Sequence, residues 1–157
     1  EPSDILRKYI SLAPHGNALD LACGNGRNSI FLSQNGFLVD AVDISDIAIT
    51  HLAGEFPEIN AICQDTDTWQ IPPDKYHMII SIRFMDRHLF PMIRKGLKPG
   101  GLLIFESFID EKKDYCLKPN ELLHAFESFH VVYYEERQAE HSDKFDQSVY
   151  FVAIKKG

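Results

Sequence analysis

Two glycines and two acidic residues at fixed spacing are the part of this sequence best suited to hold a ligand. The run Asp20-Leu21-Ala22-Cys23-Gly24-Asn25-Gly26-Arg27-Asn28 brings Gly24 and Gly26 close together. Glycine lets backbone turn sharply and approach a ligand closely, because no Cβ intrudes. Asp43 lies 19 residues beyond Gly24. A carboxylate there, at the end of the following strand, accepts hydrogen bonds from ribose hydroxyls. Loop and carboxylate together make an adenosine site. A dinucleotide site calls for a third glycine and a helix N-terminus free for pyrophosphate. Ser29 stands where that glycine would be. It is small, so a nicotinamide cofactor stays open at this point.

A second group of chemistry-bearing residues comes later. Ser81, Arg83, Asp86, Arg87 and His88 follow one apolar run, and Glu106, Ser107 and Phe108 finish another. Arg137 and His141 lie near or in a polar stretch close to the end. Arginines in such places hold an oxyanion through paired donors, which suits a carboxylate, a phosphate or a metalloid oxyanion. Arg87, Glu106 and His141 are the candidates for catalysis. The other reading is structural: Arg87 and Glu106 form a buried ion pair, His88 caps a turn, and His141 is solvated. Cys23, inside the glycine loop, is either a reactive thiol or a small packed residue.

These residues need a scaffold, and the apolar pattern supplies one. Ser3 is placed to cap a short helix carrying Ile5, Tyr9 and Leu12 on one face. Ala18 to Leu21 reads as a buried strand, and Asn28 to Gln34 as a helix ended by Asn35-Gly36. Phe37 to Val42 is a second strand, closed by Asp43. Ser45-Asp46 opens a helix with Ile49, Leu52, Ala53 and Phe56 on one side, and Pro57 stops it. Ile59 to Cys63 and Tyr76 to Ile82 are strands, with a polar loop from Asp65 to Asp74 between them. Leu89 to Leu97 is a helix with Pro91 in its first turn. Lys98 to Gly101 is a turn leading into the strand Leu102 to Phe108. A charged loop, Asp110 to Asn120, and a short helix, Glu121 to Phe126, come next. Val131 to Glu135 and Val149 to Ile154 are β-rich, joined by a long hairpin loop from Glu136 to Asp146. Alternating strands and helices predict an α/β domain on a parallel sheet, closed by an antiparallel strand.

On these residues the chain resembles the class I S-adenosylmethionine-dependent methyltransferases. Asp20 to Gly26 is similar to their first motif, Val42-Asp43 and Gln64-Asp65 to the acidic positions after the second and third strands, and Leu97 to Leu103 to the turn into the fifth. Gly24 to Ser29 also resembles the tellurite-resistance and thiopurine methyltransferase-like branch. Arg87 to Pro91 and Phe105 to Phe108 resemble a set of small bacterial members of that type. The resemblance implies a Rossmann-like, seven-stranded, mostly parallel sheet in the order 3-2-1-4-5-7-6, with helices on both faces and the seventh strand antiparallel. It implies S-adenosylmethionine as cofactor. Gly24 and Gly26 would flank its methionine part, with Ala22, Cys23 and Arg27 in the same loop. Asp43 and Ile44 would meet the ribose and adenine. Asp65 would accept from the adenine N6 amine, the Thr66 backbone would face N1, and Ser81 would lie near the methionine amine. Asp20 would support the loop. A histidine and an arginine late in the chain matter in the tellurite-resistance group, and Arg137 and His141 fall in that region.

Composition narrows the acceptor. The 157 residues suit a single domain spanning 1–157. The net charge of −7 repels phosphate backbones, so nucleic acid is not expected and a small molecule is. A protein acceptor is untouched by that argument. Three scattered cysteines form no disulfide framework, no paired Cys/His spacing marks a metal, and a reducing cytoplasm is expected. No apolar run approaches the roughly 18 residues of a membrane span. The chain begins at Glu1, which fits a trimmed terminus. Oligomeric state and acceptor atom are not legible. The alternatives to methyl transfer are a cofactor-binding module without catalysis, since few residues remain for an acceptor lid, and a nicotinamide-dependent oxidoreductase.

Overall fold

The computed structural model describes residues 1–139, 142 and 144–157. Helix α1 (Asp4–Tyr9) precedes strand β1 (Asn17–Leu21), helix α2 (Arg27–Gln34) and strand β2 (Leu38–Asp43). Helix α3 (Asp46–Glu55), strand β3 (Asn60–Cys63) and strand β4 (Tyr76–Ile82) follow. Then come helix α4 (Phe90–Gly96), strand β5 (Leu97–Ile109), helix α5 (Glu121–Ala125), strand β6 (His130–Gln138) and strand β7 (Gln147–Ile154). The seven strands form one sheet in the order β3-β2-β1-β4-β5-β7-β6. The first five run parallel, and β7 is antiparallel to both β5 and β6.

The continuous apolar run of β1 has a physical reason: a parallel strand in mid-sheet is buried on both faces. Leu19 and Leu21 point to one side and pack with Ile79, Leu103, Phe105 and Phe151. Ala18 points to the other, with Met78, Ile80, Ile104 and Val152. Phe90 and Ile93 of α4 and Leu122 of α5 cover the first core. Ile5 and Leu6 of α1, Leu32 of α2, and Ile49 and Leu52 of α3 cover the second.

Four expectations need correction. Ser3 precedes α1, but its side chain makes no cap bond; it turns toward β5, as described below. Residues 87–89 form a 3-10 turn and α4 ends at Gly96, so Leu97 already belongs to β5. Lys98 to Gly101 is a bulge inside β5: the ladder steps from the pair Tyr76–Leu97 to the pair Met78–Leu102. Strand β6 runs on through Arg137 and Gln138, which pair with Ser148 and Gln147. Polarity there marks an exposed edge rather than a loop, because backbone pairing is indifferent to charged side chains facing water.

Candidate functional site

The chain leaves β1 through three backbone positions in the left-handed region: Ala22 at φ 56°, Gly24 at 56° and Gly26 at 85°. The Cys23 N–H donates to the Val42 carbonyl at 2.9 Å, so the loop is held against the end of β2. There Asp43 receives two backbone donors, the Gly24 N–H on Oδ2 at 2.8 Å and the Ser45 N–H on Oδ1 at 2.9 Å. A carboxylate has about four lone-pair sites, so each oxygen keeps capacity for a ribose hydroxyl. The two glycines serve different ends. A Cβ on Gly26 would sit 2.5 Å from Leu52 of α3, whereas one on Gly24 would meet nothing within 4 Å. Gly26 lets α3 pack against the loop, and Gly24 leaves an open berth beside the carboxylate.

Asp20, only 2% exposed, lies under this loop and accepts from the Ser29 hydroxyl at 2.7 Å. Burial is the main reason its pKa rises to about 7; the Ser29 bond opposes the rise and Asp43 adds to it. Ser29 is therefore a strap from α2 to β1 as well as a small residue in place of glycine. Cys23 is buried, and burial, helped by Asp20 and Asp43, pushes its thiol up to about 12. It is a packed residue, and the reactive-thiol reading falls.

Ile44 projects into solvent beyond Asp43, at 69% exposed. The adjacent end of β3 brings Asp65 and Thr66 alongside, because Asp43 pairs with Cys63 and the Gln64 N–H donates to the Asp43 carbonyl at 3.0 Å. Asp65 Oδ1 accepts from the Asp67 N–H at 2.9 Å, which shapes the turn. Asp43, Ile44, Asp65 and Thr66 thus gather at one corner of the sheet. Ser81 is buried at the end of β4 and donates to the Phe84 carbonyl at 2.8 Å, closing the turn there. Asp67, Asp86 and His88 bring ligand atoms within 4.8 Å of one another. Asp86 Oδ1 accepts from the His88 N–H at 3.2 Å and lies 3.0 Å from its Nδ1, so this pair caps the 3-10 turn.

The buried ion pair expected as the structural reading of Arg87 and Glu106 does not form. Arg87 and Glu106 are not partners. Arg87 forms a fork to Glu121 of α5, with Nε to Oε2 at 2.5 Å and Nη2 to Oε1 at 2.9 Å. It also donates to the carbonyls of Cys116, at 2.6 Å, and Asp114. That occupies four of the roughly five N–H donors a guanidinium has. Glu106 instead faces Arg83, whose Nε is 3.6 Å away, and accepts from Ser3 Oγ at 2.9 Å. The mistake has a simple origin: Arg83 and Arg87 both follow β4, and spacing does not tell which of them turns toward β5. His141 lies outside the described residues.

Glu106 opens onto a cavity of about 450 Å³ between α1 and the ends of β4 to β7. Arg83, Tyr9, Tyr133, Arg137 and Tyr150 share its wall, and Arg27 reaches it from the start of α2. The Arg137 guanidinium lies 4.1 Å from the Tyr150 ring centre. Tyr9 and Tyr133 stack at 5.7 Å. The sequence shows Tyr9 only as part of an apolar helix face, and Tyr133 and Tyr150 only inside β-rich runs; they come from α1, β6 and β7, and no periodic signal joins them into one wall.

A family model described as a methyltransferase domain matches residues 18–101. The chain is 27% identical over 164 residues to a probable S-adenosyl-L-methionine-dependent methyltransferase, TehB, of Haemophilus influenzae, covering 85% of this chain and 57% of that protein. The chain spans about half the length of the curated relatives it matches. Among solved structures it superposes on a S-adenosylmethionine-dependent methyltransferase of Methanosarcina mazei with a TM-score of 0.75 at 15% identity, covering 99% of each chain. The crystal structure of H. influenzae TehB gives a TM-score of 0.74 at 21% identity, over 98% of this chain and 62% of that one. At these identities the superpositions speak for the fold.

Proposed function

This chain belongs to the methyltransferase-domain family, and on that premise we propose that it moves the methyl group of S-adenosylmethionine to a small acceptor seated in the cavity beneath α1. The observation that carries the reading is the pairing of Asp43 with the open side of Gly24. An acidic group already fixed by two backbone donors grips a ribose without reorganising. Ile44 packs on the adenine, Asp65 accepts from its N6 amine, and the Thr66 backbone faces N1. Gly24 and the backbone of Ala22 and Cys23 accommodate the methionine part, with Arg27 and Ser81 at its far end. Asp20 and Gly26 act from beneath, holding the loop in shape.

When bound, the cofactor supplies a methyl group activated by the positive charge on sulfur. The chain's own task is to place an acceptor in line and keep water out, which is worth up to roughly 7–11 kcal/mol in favourable systems. A base is needed only for an acceptor that arrives protonated. Glu106, facing the cavity from β5, is the group placed to take such a proton, while Arg87 acts at a distance by fixing the 114–121 segment. A thiol, a small acid and a metalloid oxyanion are the acceptor classes this site suits. The nicotinamide alternative loses its footing with the family assignment. No helix among the described residues is long and apolar enough to cross a membrane, and a cytoplasmic setting suits the free cysteines.

Calorimetry with S-adenosylhomocysteine tests the reading: micromolar or tighter binding is expected, followed by turnover on an acceptor panel. Binding of NADH in its place would refute it. Tight cofactor binding with no turnover on any acceptor would leave a binding module.

A further inference from the structure

We propose that Arg83, assisted by Lys8, reads a carboxylate on the acceptor, and that the acceptor is a small organic acid with a planar body. The inference rests on the methyl-transfer reading and narrows its acceptor class. Two arginines follow β4, and their donors are used differently. Arg87 is committed to Glu121 and two carbonyls. The Arg83 side chain is half exposed, and its ion-pair contact is with Glu106 at 3.6 Å, beyond hydrogen-bond reach. Its fork is available to a ligand that Glu106 does not displace, because Glu106 is held from the other side by Ser3.

The backbone of Arg83 makes the same point independently. It sits at φ 58°, a region that residues with a Cβ rarely enter. Its N–H donates to the Glu106 carbonyl at 2.6 Å, which pins it there. An unfavourable conformation held in place at the mouth of a cavity is a common mark of a functional residue. Lys8 adds a second cation on the same wall. Its Nζ lies 5.5 Å and 5.9 Å from the rings of Tyr9 and Tyr133. Among the described residues it has no carboxylate within ion-pair distance. Arg137 is engaged with Glu135 and Tyr150 and is not part of the proposal.

Size and shape then favour an organic body over a bare oxyanion. At about 450 Å³ the cavity lies within the range of roughly 300–1,000 Å³ typical of small-molecule sites. A metalloid oxyanion of a few atoms would leave most of it to water. Tyr9, Tyr133 and Tyr150 line it with aromatic side chains, against which flat unsaturated ligands pack well. The wall carries Lys8, Arg27, Arg83 and Arg137 against Glu1, Asp4 and Glu106, four cations to three carboxylates, a local balance opposite in sign to the chain's net charge of −7.

The test is calorimetry with benzoate, 4-hydroxybenzoate, benzamide, acetate and selenite, on the chain alone and saturated with S-adenosylhomocysteine. Both benzoates should bind. Benzamide, which keeps the ring and loses the charge, should bind at least tenfold more weakly, and acetate and selenite likewise. Arg83→Gln should weaken benzoate at least tenfold, and Lys8→Gln severalfold, with S-adenosylhomocysteine affinity unchanged in both. Should Arg83→Gln fail to fold, the exposed Lys8→Gln decides. Benzamide matching benzoate, selenite binding in preference, absence of benzoate binding, or indifference to both substitutions overturns the proposal. Failure of S-adenosylhomocysteine to bind strikes the methyl-transfer reading instead, and the measurements on the chain alone keep the two failures apart.

Discussion

Ser3 Oγ donates to Glu106 Oε1 at 2.9 Å, across 103 residues of sequence. A hydroxyl placed to cap α1 is spent instead on the carboxylate at the cavity floor, while the Ser3 N–H donates to Asn28 Oδ1 at 2.8 Å. The start of α1 is thereby tied both to β5 and to the helix that follows the glycine loop.

Replacing Ser3 by Ala removes the tie to Glu106 and keeps the one to Asn28. Stability should fall by about 1 kcal/mol, the usual net worth of such a bond. The acceptor KM should rise severalfold as the cavity roof loosens, with S-adenosylhomocysteine affinity unchanged. Steady-state kinetics and thermal melts check this; an unaltered KM would confine the bond to a structural role.

Asp43→Ala should lower S-adenosylhomocysteine affinity about a hundredfold. Two hydrogen bonds to a charged acceptor, at roughly 1.5 kcal/mol each, account for that loss. The variant also orphans the Gly24 and Ser45 N–H groups, so its melting temperature should fall by a few degrees. Calorimetry and thermal unfolding separate the two effects, and a variant that binds normally would remove the ribose role.

Asp20 makes stability depend on pH in an unusual direction. Its pKa is raised to about 7 in the fold, from the 3.8 of an ordinary aspartate. Between those values the folded chain holds a proton that the unfolded chain has lost, so stability decreases as pH rises from about 4 to about 7. Asp20→Asn keeps an acceptor for Ser29 and removes the titration. Melts at pH 5, 6, 7 and 8 should show the variant gaining on the wild type as pH increases, by several degrees at pH 8. A constant difference across the series would mean the carboxylate is not held neutral.

Arg87→Ala should cost about 1–3 kcal/mol, because Glu121 and two carbonyls lose their donor together. S-adenosylhomocysteine affinity should be unaffected. Glu121→Gln should reproduce part of the loss, since the Arg87 fork pulls the Glu121 carboxyl below its ordinary range despite partial burial. If Arg87→Ala melts like the wild type and turnover collapses, the residue touches the acceptor after all.

The glycine loop, Asp43 and the strand that carries Ser81 were legible because each is local: a few adjacent residues set the backbone turn or the period. The sheet order followed from the resemblance, not from periodicity. What stayed hidden depended on meetings between distant segments. Nothing near Arg87 announces Glu121, and nothing near Glu106 announces Ser3. The bulge at Lys98 to Gly101 reads as a turn for a related reason, since proline and glycine mark a break in the ladder without saying whether the strand resumes its direction.

The protonated state of the Cys23 thiol has a chemical consequence. Buried in the loop, with burial pushing its thiol up to about 12, Cys23 holds its proton at neutral pH, and it is the thiolate that peroxide and alkylating agents attack. Such reagents should bypass the adenosine berth and mark Cys63, exposed at the end of β3. Oxidative stress would then leave the loop chemically untouched, while a label on Cys63 would report from beside it.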